Sequence, residues 1–150
     1  MIMKSVDLAK KMRKTVLSMT SYAGASHIGS CLSVLDIVAV LYSDAFRIEL
    51  ESWNAPDSNR VILSKGHSVA SLYAALAEKQ FIEKSELETY CKDGSRLGGH
   101  PSHSVPGVEL STGSLGHGLP FGVGLALGKK IKRNAGKVFV IMSDGELDEG

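Results

Sequence analysis

Two short apolar runs, RVILS at 60–64 and KVFVIM at 137–142, constrain this chain more than any other feature. Both are rich in β-branched residues and bounded by breakers, so each predicts a strand, the first of them buried. Both end abruptly on polar, glycine-bearing turns, KGH after the first and SDGE after the second. The segments around them carry helical patterns. That order predicts an α/β layout with a parallel sheet, whose ligands bind beyond the carboxyl ends of the strands.

The helical segments follow from periodicity. Val6–Tyr22 is amphipathic, with Val6, Leu8, Ala9, Met12, Val16, Leu17 and Met19 on one face and a lysine-rich face opposite. Leu32–Phe46 is apolar almost all round, which predicts a buried helix. Ser30 or Ser33 is placed to cap it, with Asp36 three residues after Ser33. SVASLYAALAEKQ (68–80) resumes helical spacing, and Ser85–Tyr90 predicts a short serine-capped helix. Cys91–Thr112 is a long loop of Gly, Pro, Ser and His, a length that in a compact domain marks function or disorder. A glycine-rich helix is expected from Leu115 to Arg133, stopped by Asn134, Ala135 and Gly136.

Composition excludes several classes. Hydrophobic residues are 43% and charged residues 22% of the chain, too apolar for a disordered polymer. Seventeen basic residues against sixteen acidic ones leave a formal charge of +1, so nothing points to nucleic acid or to a membrane surface. The N-terminus has no apolar run of signal-peptide length and no stretch approaches a membrane span. Cys31 and Cys91 lie far apart with no CxxC spacing, which fits free thiols in a cytoplasmic protein.

Glycine is the one excess, with 16 residues, and it clusters with the histidines. SHIGS (26–30), SKGH (64–67), GGHPSHSVPG (98–107), STGSLGHG (111–118) and SDGELDEG (143–150) each join a glycine to a histidine or carboxylate. Glycine lets backbone approach a ligand closely, and histidine titrates near neutrality. A loop leaving a strand and opening a helix offers free N–H groups to phosphate, while an aspartate in such a loop suits a hard cation that also takes phosphate oxygens. The residues thus point to phosphate plus a divalent metal, fringed by histidines. A zinc site is the competing reading, from His27, His67, His100, His103, His117 and the cysteines, but no pair has the usual zinc spacing.

Together the segments resemble the N-terminal, pyrophosphate-binding half of a transketolase, and GSRLGGHP with PGVELSTGSLGHG is similar to the split transketolases, whose two halves are separate chains. The resemblance implies a thiamine diphosphate-binding fold, with an incomplete parallel sheet flanked by helices, and residues 1–150 as the N-terminal part of the pyrophosphate-binding domain. It implies thiamine diphosphate and Mg²⁺ (or Ca²⁺ or Mn²⁺) as cofactors. The implied reaction transfers two-carbon ketol units between sugar phosphates. A C-terminal subunit with the pyrimidine-binding domain is the implied partner, in a dimer of halves.

Position by position, the resemblance implies that His27 lies near the thiazolium and the reacting carbon, and that His100 faces the substrate hydroxyls. His67 reaches the diphosphate. Gly113, Ser114 and Leu115 lie against the aminopyrimidine, and His117 stands where many members have Gln. Asp144 ligates the metal, Gly145 offers its N–H to diphosphate, and Glu149 belongs to an acidic network linking paired sites. Ser143 replaces a glycine of the family, which implies a less free turn. The segment stops at Gly150, before the Asn that completes metal coordination, so these 150 residues alone are expected to be catalytically silent, with an apolar edge at Lys137–Met142. The alternatives are a truncated non-catalytic fragment and a component of another thiamine diphosphate enzyme, such as one resembling deoxyxylulose-phosphate synthase.

Overall fold

The computed structural model describes residues 4–43, 46 and 48–149. Among the described residues four helices, α1 (Ser5–Ala23), α2 (Ile28–Tyr42), α3 (Val69–Glu78) and α4 (Gly118–Ile131), accompany two strands, β1 (Arg60–Leu63) and β2 (Val138–Ile141). Short 3₁₀ segments occupy Gly66–Ser68, Lys84–Thr89 and Asp144–Asp148. The strands pair in parallel, with Val61 opposite Phe139, Ile62 opposite Val140 and Leu63 opposite Ile141.

Strand alternation then sorts the layers. Val61, Leu63 and Ile141 join the main core with α1, α2 and α3, and Phe139 packs against it. Ile62, Val138 and Val140 face α4 at Gly122, where a Cβ would lie 2.4 Å from a Val140 methyl, so α4 rests directly on the sheet. The sheet is thereby held between a three-helix layer and one helix. Among the described residues β2 pairs with β1 alone, and three of its four residues are only half-buried.

α1 buries Leu8, Met12, Val16 and Met19 as its periodicity requires, and ends on Gly24 at φ 58°, a left-handed C-cap that glycine adopts without penalty. The expectation for the second helix needs correction. α2 starts at Ile28, four residues early, with His27 as its N-cap and no side-chain cap, while Ser33 Oγ donates back to the Ser30 carbonyl inside the helix. Glycine at 29 does not stop it, because the turn is made by His27 at φ 68°. The helix ends at Tyr42, and the expected extension through 44 and 45 lies outside the described residues, as does Gly150. Nor is α2 buried all round, since Ile37 and Val40 are exposed.

The helix buried on every side is α3, Val69 to Ala77 without exception. Its alanines and Ser71 let α1 and α2 pack closely around it. The short helix expected at Ser85–Tyr90 is a 3₁₀ segment capped at Glu83 rather than at Ser85. α4 begins at Gly118 instead of Leu115, which leaves residues 113–117 as a turn.

The long loop is ordered by burial. Leu97, Val105 and Val108 enter the core, the Tyr73 hydroxyl donates to the His100 carbonyl at 3.2 Å, and Thr112 Oγ1 donates to the Leu63 carbonyl at 2.7 Å. At the amino ends of the strands Arg60 pairs with Glu109 at 3.0 Å, and the buried Lys129 donates to the carbonyls of Pro56 and Ser58. Burial raises the Glu109 carboxyl above its ordinary range, against the pull of Arg60. These contacts hold the end of the sheet opposite the histidines.

Candidate functional site

Parallel pairing puts both strand exits at one end of the sheet. Ser64 and Lys65 N–H groups both approach the Ile141 carbonyl, Ser64 at 2.9 Å, so the SKGH and SDGE turns leave side by side. His67 sits in the 3₁₀ turn after β1, and Asp144 and Gly145 open the 3₁₀ turn after β2.

The histidines gather here. His27 occupies left-handed backbone, a conformation costly for a residue with a Cβ, and its ring lies 5.3 Å from that of His67. His67 is half-buried, whereas His27 and His100 are exposed. Burial, then the charge of Lys65, holds the His67 pKa below its ordinary value, with smaller contributions from His27 and His100. At pH 7 its imidazole is therefore neutral, with one ring N–H to donate. A Cβ placed on Gly113 would lie 3.4 Å from the His100 ring, so the 113–115 turn borders this group.

Lys65 belongs to the SKGH turn, which the sequence marks through its glycine and histidine rather than its lysine. It is 8% exposed, its Nζ donates only to Ser33 Oγ at 3.3 Å, and among the described residues it forms no ion pair. A buried cation without a carboxylate at the mouth of a histidine cluster favours an anion.

The acidic turn holds a second surprise. Glu146 is 2% exposed and accepts from Ser64 Oγ at 2.6 Å, from Gly116 N–H at 3.0 Å and from Ser143 N–H at 2.9 Å. Burial works to raise its pKa, but these donors outweigh it and hold the carboxylate below its ordinary range. Ser143 closes a capping box with Glu146, and its φ of −91° needs no glycine, so the serine strengthens the turn rather than hindering it. Gly116, at φ 81°, folds the loop over this carboxylate, and a Cβ there would meet Glu149 Cβ at 2.8 Å.

The remaining residues are placed as follows. Ser114, Asp144, Gly145 and Glu149 are exposed, Leu115 is half-buried, and a Cβ on Gly145 would meet open space. His117 is the N-cap of α4, its Nδ1 3.0 Å from the Leu115 carbonyl. His103 leaves the group and bonds Ser111 Oγ. Among the described residues no three His, Cys, Asp or Glu side chains converge on a metal position. Among the described residues, cavities of about 330, 770 and 580 Å³ have no histidine in their walls, and His27 and His100 are exposed. Among the described residues no helix is long and apolar enough to cross a membrane.

Known proteins share this fold. Residues 5–150 match the family profile described as transketolase, thiamine diphosphate binding domain. The chain is similar to one of the subunits of apulose-4-phosphate transketolase from Phocaeicola vulgatus, 41% identical over 142 residues that are 95% of this chain and 50% of that protein. The corresponding protein of Actinobacillus succinogenes is 42% identical over 95% of this chain and 52% of its own length. The chain thus spans about half the length of these curated relatives. Transketolase from Campylobacter jejuni superposes on the whole chain with a TM-score of 0.87 at 27% identity, over 25% of its own length. The chain belongs to the transketolase family, matching its thiamine diphosphate binding domain.

Proposed function

We propose that this chain supplies the diphosphate-binding part of a thiamine diphosphate-dependent enzyme that moves two-carbon ketol units between sugar phosphates. The single observation that carries the reading is the parallel register of β1 and β2, which delivers His67 and the Asp144–Gly145 turn to one end of the sheet. Residues 1–150 serve as the N-terminal part of the pyrophosphate-binding domain. A partner chain supplies the pyrimidine-binding domain, in a dimer of halves, within the cytoplasm; the two thiols, Cys31 buried and Cys91 exposed, accord with that compartment.

The donors at the strand ends fit the cofactor's anionic end. Lys65 contributes charge, His67 a ring N–H, and Gly145 a backbone N–H in an open first turn, where helix geometry leaves amides without internal acceptors. Asp144 fits a magnesium ion that takes its other oxygens from phosphate and water, the usual arrangement for this hard cation. The Gly113–Leu115 turn flanks the aminopyrimidine, with His117 at its end. Thiamine diphosphate, when bound, supplies the carbanion chemistry. His27 and His100 give and take protons at the sugar carbonyl and hydroxyls, and Glu149 leads toward the paired site.

The test is ketol transfer by the full-length chain with a pyrimidine-domain partner, thiamine diphosphate and Mg²⁺. Turnover is expected with all components and none from this chain without the partner. Undiminished turnover without the partner contradicts the assignment.

A further inference from the structure

Glu146 has more partners than a helix cap requires. A capping box needs only the Ser143 bonds, yet the other carboxylate oxygen reaches Ser64, 82 residues away in sequence, and Gly116, 30 residues away. Ser64 Oγ in turn accepts the Gly118 N–H at 3.1 Å. One buried carboxylate therefore joins the end of β1, the end of β2 and the 113–118 turn. Its donors, one hydroxyl and two amides, satisfy a carboxylate that is closed off from water.

These three segments are the ones assigned above to the two ends of the cofactor. The 113–115 turn is assigned to the aminopyrimidine and the Asp144–Gly145 turn to the diphosphate. We propose that Glu146 is a positioning residue that fixes the distance between these two turns, so that thiamine diphosphate meets a cradle already set. The proposal rests on the functional reading given above. Without the lock, ordering of the 113–116 turn is charged to binding, and affinity falls while the chemistry of the bound complex is kept.

The experiment compares the native full-length chain with Glu146→Gln and Ser64→Ala, using thiamine diphosphate and Mg²⁺ as the probe and calorimetry as the readout, with turnover measured alongside. The glutamine amide must face at least one N–H donor whichever way it is turned, and Ser64→Ala removes the links to the Gly118 N–H and to the carboxylate. Both variants are expected to raise the Kd for thiamine diphosphate on the order of tenfold, with kcat at saturating cofactor within about threefold. A lowered Tm with unchanged Kd in both variants makes Glu146 a structural cap only and overturns the proposal. Hydrogen exchange of the native, cofactor-free chain covers the case of variants that fail to fold. Protected Gly116, Gly118 and Ser143 amides are expected, and rapid exchange at Gly116 overturns the lock. A native chain that binds no thiamine diphosphate overturns the functional reading and this proposal together; equal binding by the native chain and both variants overturns this proposal alone.

Discussion

His100→Ala in the proposed two-chain enzyme is expected to lower kcat/KM for the proposed sugar-phosphate substrate about 10²- to 10⁴-fold, the range for loss of a proton-transfer group. Affinity for thiamine diphosphate should change less than about threefold, below what loss of one charge-assisted hydrogen bond produces. The separation follows from where the side chain stands. The His100 ring is exposed and borders Gly113, so its removal opens no cavity in the core. The backbone at this point is held by the Tyr73 hydroxyl on the His100 carbonyl, a bond that alanine retains. Folding is therefore expected to be unaffected, with Tm within a few degrees of the native value, on the order of 0.5 kcal/mol for a surface change. Equal losses in substrate use and cofactor affinity would show that His100 shapes the cradle and does not act on the sugar.

Gly118→Ala carries the largest expected effect on stability. In a free helix this change is favourable by about 1 kcal/mol, because alanine is the better helix former. Here the added Cβ would lie 2.4 Å from Ser64 Cβ and 2.9 Å from its Cα. Those atoms belong to the end of β1 and cannot swing aside, so α4 must lift off the sheet. Overpacking of this kind costs about 1–3 kcal/mol and sometimes more. Lifting also breaks the Gly118 N–H bond to Ser64 Oγ and disturbs Glu146 beyond it, for about 1 kcal/mol per bond lost. Urea unfolding of the full-length chain should thus show a loss of about 3 kcal/mol, summed from overpacking and broken bonds. An unchanged or raised midpoint would mean that α4 does not press on β1 as described.

The outcome at particular residues shows what a sequence can and cannot reveal. The strands were legible because each is a β-branched run closed by glycine-bearing turns, a local signal that no distant contact alters. The assembly of His27, His67 and His100 was legible for the related reason that glycine and histidine interrupt otherwise regular patterns. Helix boundaries were less so. The start of α2 depends on His27 taking a left-handed conformation, which propensity disfavours and only the packed structure enforces. Burial of α3 rather than α2 depends on which helix lies in the middle, a tertiary fact invisible to periodicity.

Glu146 is the most instructive omission. It lies in an acidic run, DGELDEG, in which the motif draws attention to Asp144 and Glu149 instead. Its burial is decided by Ser64 and Gly116 from distant parts of the chain. The serine–glutamate spacing of a capping box at 143 and 146 was the one local signal that could have found it. The same spacing lets Ser143 close the turn through its side chain.

The central claim is that the common end of β1 and β2 recognises a diphosphate. Calorimetric titration of the chain, together with the proposed partner and Mg²⁺, against thiamine diphosphate and against thiamine tests it most directly. Two or more charge-assisted hydrogen bonds to the diphosphate predict that thiamine binds at least about a hundredfold more weakly, and that His67→Asn narrows the gap. Equal affinity for the two ligands, or a gap that His67→Asn leaves unchanged, would contradict the assignment of the SKGH and SDGE turns to the diphosphate.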